Sequence, residues 1–177
     1  TFPHAKEVKQ FLGYFSTNAI REISGAFARL IINEGKLKII TNQYYSKQDA
    51  DRLMNNQNEL DKGRLINIIS DYVKLKKALS ETDQHFFDCL RFLKQQGRLE
   101  IQPVDYVGSG DSHHKQILMS DGEDYIATFG SNNFTLKGLV KNAESFAVLK
   151  SWTKPKTKKT INEAIKVFDK VFAKKAE

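Results

Sequence analysis

The sequence contains a single cysteine in 177 residues, and this scarcity excludes an intramolecular disulfide. Cys89 stands near Phe86 and Leu90 in a predicted helix, so we expect it to pack as a small apolar residue rather than to react. A metal site built from several thiolates is disfavoured for the same reason. We therefore expect a protein of a reducing compartment.

Long apolar runs are also missing. No window approaches the roughly 18 consecutive apolar residues of a membrane span, and the opening Thr-Phe-Pro-His-Ala-Lys lacks the charged-then-apolar order of a secretory signal. We expect a cytoplasmic protein without integral membrane association. Because residue 1 is not methionine, we also expect the chain to be part of a larger protein.

The chain is long enough for one core, and it is rich in positive charge. With 177 residues, 40% of them hydrophobic, it is predicted to form a single domain over residues 1–177. The formal net charge is +7, and the lysines are concentrated in residues 150–177. This balance favours an anionic partner such as nucleic acid. The candidate phosphate contacts are Lys154, Lys156, Lys158 and Lys159, although lysines also form the solvent face of ordinary amphipathic helices.

Apolar periodicity predicts alternating strands and helices. Helices are predicted over residues 18–34 and 83–96, and two more lie between 46 and 80, interrupted at Asn55–Asn58 and Gly63. Strands are predicted at 11–15, 36–41, 98–104, 115–119, 125–129 and 145–149, and a last helix passes through 161–172. The fold class is thus α/β, with a mixed, largely parallel sheet and helices on both faces.

The residues that suggest chemistry surround the hairpin predicted over 115–129. In an extended segment residues two apart share a face, so His113 and Lys115 would project together and His114 away from them. An imidazole can attack phosphorus or transfer a proton near neutral pH, and a lysine can neutralise phosphate oxygens. The alternatives are that both are solvated strand residues, or that the two histidines bind a metal.

The second half of the candidate site follows the hairpin. Gly130 lets the backbone approach a bound group closely, and Ser131 and Asn133 could donate hydrogen bonds to its oxygens. Glu144 could hold a histidine ring in its productive tautomer. It could equally be a strand-edge carboxylate paired with a neighbouring lysine.

Taken together, His113-x-Lys115 and Gly130-Ser131-x-Asn133 resemble the HxK and GSxN signature of the phospholipase D superfamily. The resemblance extends to Phe134-Thr135, to a downstream glutamate and to the closing helix, and the Gly13–Ser16 segment before a helix resembles nuclease-type members. It implies a covalent phosphohistidine on His113, a second histidine that protonates the leaving oxygen, and no metal or other cofactor. Lys115 and Asn133 would then hold the phosphate. Ser131 and Glu144 would orient the reacting groups.

Only one copy of the signature is present. Family members with one copy form homodimers that complete a single active centre across the two-fold axis, so the resemblance implies a homodimer. Similar single-motif domains cleave DNA in restriction enzymes and beside helicases. We therefore expect an endonuclease-like phosphodiesterase that acts on DNA, with further DNA-binding or helicase domains in the full-length protein.

The sequence departs from the family pattern in one place and leaves two rival functions open. The family aspartate that follows the lysine is replaced by Ser120, with Asp121 one residue later. The first rival is a phospholipid phosphodiesterase or transferase, which predicts an exposed apolar rim. The second is a catalytically silent, nucleic-acid-binding dimerisation module, against which the intact His113, Lys115 and Asn133 argue.

Overall fold

A computed structural model of the chain describes residues 4–12, 17–41, 62–80, 84–103, 115–130 and 145–173. These form six strands and six helices. The strands are β1 (Glu7–Leu12), β2 (Lys36–Thr41), β3 (Leu99–Pro103), β4 (Lys115–Ser120), β5 (Tyr125–Gly130) and β6 (Phe146–Lys150). The helices are α1 (Thr17–Glu22), α2 (Ser24–Ile32), α3 (Lys62–Ile69), α4 (Tyr72–Ser80), α5 (Gln84–Gln95) and α6 (Pro155–Ala173).

The strands form one mixed sheet in the order β3-β2-β1-β4-β5-β6. β1 pairs in parallel with β2, and β2 with β3. β4 runs antiparallel to β1, and the neighbouring pairs β4–β5 and β5–β6 are antiparallel too. β5 therefore runs in the same direction as β1, β2 and β3, and the mixed α/β sheet predicted from the sequence is confirmed.

One face of the sheet is covered by α1 to α5. Alternate residues of the parallel strands, among them Val8, Leu37 and Ile39, enter a buried apolar cluster with Phe27 of α2 and Leu93 of α5. This alternation follows from the pleat, which sends successive side chains to opposite faces. Cys89 lies in the same cluster, as expected for a small packing residue.

The other face is covered by α6, so the predicted helices on both faces are confirmed. Phe11 and Ile40, which alternate with the residues of the first cluster, pack with Ile161 and Phe168 of α6. The rings of Phe11 and Phe168 meet edge to face, with their centroids 6.4 Å apart. Because α6 contributes apolar residues at helical spacing, it buries one stripe and leaves its lysines outside.

Several predicted boundaries were wrong. The first strand begins at Glu7 rather than at residue 11, and residues 13–15 of the prediction lie outside the described residues. Gly63, a predicted interruption, lies inside α3. The break falls at Asp71 instead, whose Oδ1 accepts hydrogen bonds from the backbone N–H groups of Val73 (2.9 Å) and Lys74 (3.1 Å) and so caps α4.

Candidate active site

The candidate site is built at one end of the sheet, on the edge formed by the ends of the strands. The parallel strands β1, β2 and β3 end there at Leu12, Thr41 and Pro103. The antiparallel pairings bring Lys115, the first residue of β4, to the same edge. In open α/β sheets ligands bind at the carboxyl ends of parallel strands, where the strand order reverses. Here that place is the junction of β1 with β4, and we name this end of the sheet the Lys115 edge.

One residue from each half of the motif, Lys115 and Gly130, lies at this edge. Gln116 pairs with Phe129 across the β4–β5 hairpin, so Lys115 and Gly130 are the next residues on their strands. Lys115 also pairs with Leu12 of β1. The hairpin predicted over 115–129 is therefore confirmed, and it brings Gly130 beside the strand that carries Lys115.

Gly130 is packed too closely for any side chain. A Cβ atom at this position would overlap the backbone carbonyl oxygen of Ser145 and lie 2.6 Å from the Cβ of Phe146. Gly130 pairs with Phe146, the first residue of β6. The glycine therefore lets β6 reach the Lys115 edge beside β5.

His113, Ser131, Asn133 and Glu144 lie outside the described residues. Described residues stand close to three of them in the sequence. His113 is two positions before Lys115, Ser131 directly follows Gly130, and Glu144 directly precedes Ser145. Their roles remain predictions from the sequence.

Ser120 and Asp121, which stand where the family has its aspartate, lie at the far end of β4. At about 3.4 Å per residue, β4 separates Ser120 from Lys115 by about 17 Å. The Ser120 Oγ accepts a hydrogen bond of 3.0 Å from the N–H of Gly122. Asp121 accepts hydrogen bonds from the N–H groups of Glu123 (3.0 Å) and Asp124 (2.9 Å). Both residues therefore shape the hairpin turn.

The turn is tied to the start of the last helix by a buried serine. The Ser151 hydroxyl donates a 2.6 Å hydrogen bond to Asp124 Oδ1 and accepts one of 3.1 Å from the N–H of Tyr125. Sequence reasoning missed this contact, because Asp124 and Ser151 are far apart in the chain and neither belongs to a motif. It fixes the hairpin at the edge opposite Lys115.

The lysines predicted to bind phosphate lie away from the Lys115 edge. Lys154, Lys156, Lys158 and Lys159 are exposed on or just before the first turns of α6. β6 starts at the Lys115 edge with Phe146 and ends with Lys150 at the opposite edge, from which the chain enters α6. The topology therefore separates these lysines from Lys115 and Gly130.

Two cavities among the described residues also lie away from Lys115. A cavity of about 110 Å³ is bordered by His4, Ser120, Asp124 and Trp152 at the opposite edge. A wider one of about 320 Å³ lies among Ile31, Glu34, Ile66, Phe92 and Arg98. Burial lowers the pKa of Arg98, and nearby Glu34 opposes this effect. Neither cavity contains a residue of the motif.

Gln10 of β1 is a residue of the site region that sequence reasoning missed. It is fully buried, and neither its Oε1 nor its Nε2 has a hydrogen-bond partner. It pairs with Ile117, two residues beyond Lys115 on β4. The only sequence signal was a polar residue at a position where strand alternation calls for an apolar one.

The chain as a whole matches a known family. The family model described as "Cardiolipin synthase, PLD-like domain" matches residues 5–174. The chain therefore belongs to the phospholipase D-like domain family, as the motifs predicted. This membership makes it a phosphodiesterase-type domain.

A solved structure supports the fold. NucT from Helicobacter pylori is similar over 96% of this chain and 81% of its own, with a TM-score of 0.52 and 17% sequence identity. At this identity the likeness concerns the fold. No curated protein matches the chain. No described helix is long and apolar enough to cross a membrane.

Proposed function

We propose that the chain is a metal-independent phosphodiesterase that hydrolyses DNA as an endonuclease, with one active centre shared by two copies. The observation that carries the proposal is the meeting of Lys115 and Gly130 at the Lys115 edge. Lys115 belongs to the first half of the motif and begins β4, and Gly130 belongs to the second half and ends β5. Family membership over residues 5–174 supports the reaction class.

Both halves of the motif are adjacent in the sequence to described residues of this edge. Lys115 follows His113 by two residues, and Gly130 directly precedes Ser131. A nucleophile, a fixed cation and hydrogen-bond donors are the groups that phosphoryl transfer requires.

The proposed reaction has two steps. A nitrogen of His113 attacks phosphorus, and the bond from phosphorus to the leaving oxygen breaks as the partner's histidine donates a proton to that oxygen. That histidine, now neutral, takes a proton from water, whose oxygen attacks phosphorus and breaks the bond to His113. Lys115 and Asn133 stabilise the charge on the non-bridging oxygens, and Ser131 and Glu144 orient the reacting groups.

DNA is the proposed substrate because of charge and motif type together. The chain carries a net charge of +7, and single-motif domains of this kind resemble nucleases of restriction enzymes and helicase-associated proteins. Sequence specificity would come from other domains. Lys154, Lys156, Lys158 and Lys159 would contact phosphates some distance along the strand from the cleaved bond.

The first test is cleavage of plasmid and single-stranded DNA in EDTA. We expect the wild type to cleave, His113→Ala to be inactive, and the matched variant His114→Ala to keep its activity, because residue 114 is proposed to point away from the site. Light scattering should give the mass of a dimer. Cleavage that requires Mg²⁺, or that survives in His113→Ala, would contradict the mechanism.

A phospholipid is the second candidate substrate, and one observation favours it. Phe146 at the Lys115 edge is 58% exposed, and an exposed apolar side chain there suits a lipid substrate. Flotation with vesicles of anionic phospholipid separates the two candidates. Binding to vesicles with release of the headgroup would favour the lipid, whereas cleavage of DNA without vesicle binding would favour the nuclease. A folded dimer inactive on both would indicate the silent binding module.

A further inference from the structure

We propose that Gln10 is a positioning residue of the active site, which orients the ammonium group of Lys115 through its side-chain carbonyl. The inference rests on the function proposed above. It adds a residue of β1 to a site whose motif residues belong to β4, β5 and their flanking segments.

The Gln10 side chain is in an unusual state for a buried residue. It is 0% exposed, and both of its polar atoms are buried without a hydrogen-bond partner. A buried polar group in this state costs about 1–3 kcal/mol. Val8 and Leu12, its neighbours on the same face of β1, both belong to the apolar core. An apolar residue would therefore suit the fold better than glutamine does.

The register of the strands places Gln10 and Lys115 on one face of the sheet. Gln10 pairs with Ile117, and Lys115 lies two residues before Ile117 on β4, so all three side chains project from the same face of the sheet. Diagonal neighbours of this kind are about 7–8 Å apart, within reach of long side chains. Lys115 is itself half-buried. Gln10 is therefore a diagonal neighbour of Lys115, the only lysine or arginine of the two motif halves.

The chemistry of the pair suits stabilisation of a phosphate. The Gln10 Oε1 can accept one of the three N–H bonds of the Lys115 ammonium group and leave the other two for phosphate oxygens. An amide is neutral, so it fixes the direction of the lysine without reducing its positive charge. A positioned cation that needs no reorganisation during the reaction is the effective kind.

The chain provides a matched control in Gln116. This residue also has a buried side-chain nitrogen, Nε2, without a partner. It lies on β4 directly after Lys115, pairs with Phe11 and Phe129, and projects from the face that α6 covers. Gln116 therefore also carries a buried amide nitrogen without a partner, but its side chain is only partly buried and lies on the wrong face to reach Lys115.

The first part of the test compares Gln10→Met with Gln116→Met. Methionine keeps the length of the side chain and removes the amide, so the free energy of unfolding should stay the same or rise for both variants. With bis(p-nitrophenyl) phosphate as a general diester, kcat should fall about 10- to 100-fold for Gln10→Met, the range expected when a reacting group is misplaced. Gln116→Met should keep the wild-type kcat. An unchanged kcat in Gln10→Met would overturn the proposal. Gln10→Leu replaces it if the methionine variant does not fold.

The second part is a double-mutant cycle with Lys115→Ala. If Gln10 acts through Lys115, the double variant should be no slower than Lys115→Ala alone. Effects that multiply would show that Gln10 acts independently and would overturn the proposal. Orthophosphate affinity, measured by calorimetry, should weaken in Gln10→Met and Lys115→Ala but not in Gln116→Met.

The readouts separate this inference from the proposed function. A wild type that hydrolyses the diester, combined with an unaffected Gln10→Met, overturns the role of Gln10 alone. A wild type that binds orthophosphate in a manner dependent on Gln10 and Lys115, but hydrolyses no diester or DNA, overturns the proposed function alone. A wild type that does neither overturns both.

Discussion

The ammonium nitrogen of Lys9 on β1 lies 2.7 Å from Oδ1 of Asp169 on α6. The same nitrogen is 3.4 Å from Glu7 and sits 5.8 Å from the centre of the Phe168 ring. The Lys9 side chain is only 11% exposed, so its charge depends on these neighbours. The contact joins the beginning of the chain to its last helix, over the Phe11–Phe168 packing.

We expect Asp169→Asn to destabilise the protein by about 1 kcal/mol, because it weakens the pairing of a mostly buried ammonium group. Urea unfolding measures this loss. Glu163→Gln, an exposed change on the same helix, should have little effect. The difference between the two variants should shrink in 1 M salt, since the Asp169 side chain is half exposed and is screened. Equal stability of both variants at low salt would contradict the role of the pair.

Gly130→Ala should impair both folding and activity. The added Cβ would collide with the backbone of Ser145 and with Phe146, and overpacking of this kind costs about 1–3 kcal/mol. Gly35→Ala is the matched control, because its Cβ would lie 2.8 Å from the carbonyl oxygen of Ala5, before the start of β2 at the opposite edge. Both variants should be less stable, but only Gly130→Ala should lower kcat per folded molecule. A normal kcat in Gly130→Ala would show that the close approach of β6 is irrelevant to the site.

The pKa of the Asp121 carboxyl group should lie below its ordinary value. Hydrogen bonds from the N–H of Asp124 and then of Glu123 lower the pKa of its carboxyl group. A folded-state pKa below the unfolded value means that the ionised group stabilises the turn above the unfolded pKa, and that this contribution is lost as the pH falls through the folded pKa. NMR titration of the Asp121 carboxyl carbon should give a midpoint below the reference value of about 3.9. A midpoint at or above that value would contradict the turn hydrogen bonds.

The same titration offers a functional control. Asp121→Asn keeps a side-chain acceptor at every pH, so the amide signals of Glu123 and Asp124 should lose most of their acid-range dependence. Because the turn lies at the opposite edge from Lys115, the variant should keep wild-type kcat. A large loss of activity would indicate that the turn influences the site.

Replacement of Lys154, Lys156, Lys158 and Lys159 by glutamine should weaken binding to DNA without changing kcat at saturation. Each phosphate contact that is lost should make the slope of log K against log salt shallower by about 0.9 for duplex DNA. The four lysines are exposed and remote from Lys115, so chemistry at the cleaved bond should continue. An unchanged salt slope would show that they are only the solvent face of α6.

Apolar periodicity was sufficient to predict most of the strands and helices, because burial of one face imposes a regular spacing on the apolar residues. The strand at Lys36–Thr41 and the helix now seen at Gln84–Gln95 were predicted with little error. The helix predicted over 18–34 is divided at Ile23, whose backbone leaves helical geometry at φ −103° and ψ 20°. Ile20 and Phe27 are buried on either side of that break, so periodicity alone could not reveal it.

Contacts between distant segments were beyond sequence reasoning. The motif was sufficient to predict Lys115 and Gly130 as site residues, because both flank one hairpin and lie close together in the sequence. The pairing of Leu12 with Lys115 makes Gln10 a diagonal neighbour of the lysine. This pairing depends on the order of the strands in the sheet. The remote position of the α6 lysines depends on the direction of β6. A charge pattern shows which residues are basic, but not which edge of a sheet they occupy.

The hairpin turn at Asp121–Asp124 offers a way to attach the protein to a surface or a dye. Glu123 is exposed there, and Cys89 is fully buried. A Glu123→Cys variant would therefore present one accessible thiol for maleimide coupling. Molecules tethered through it would all hold the Lys115 edge away from the support and open to the solution.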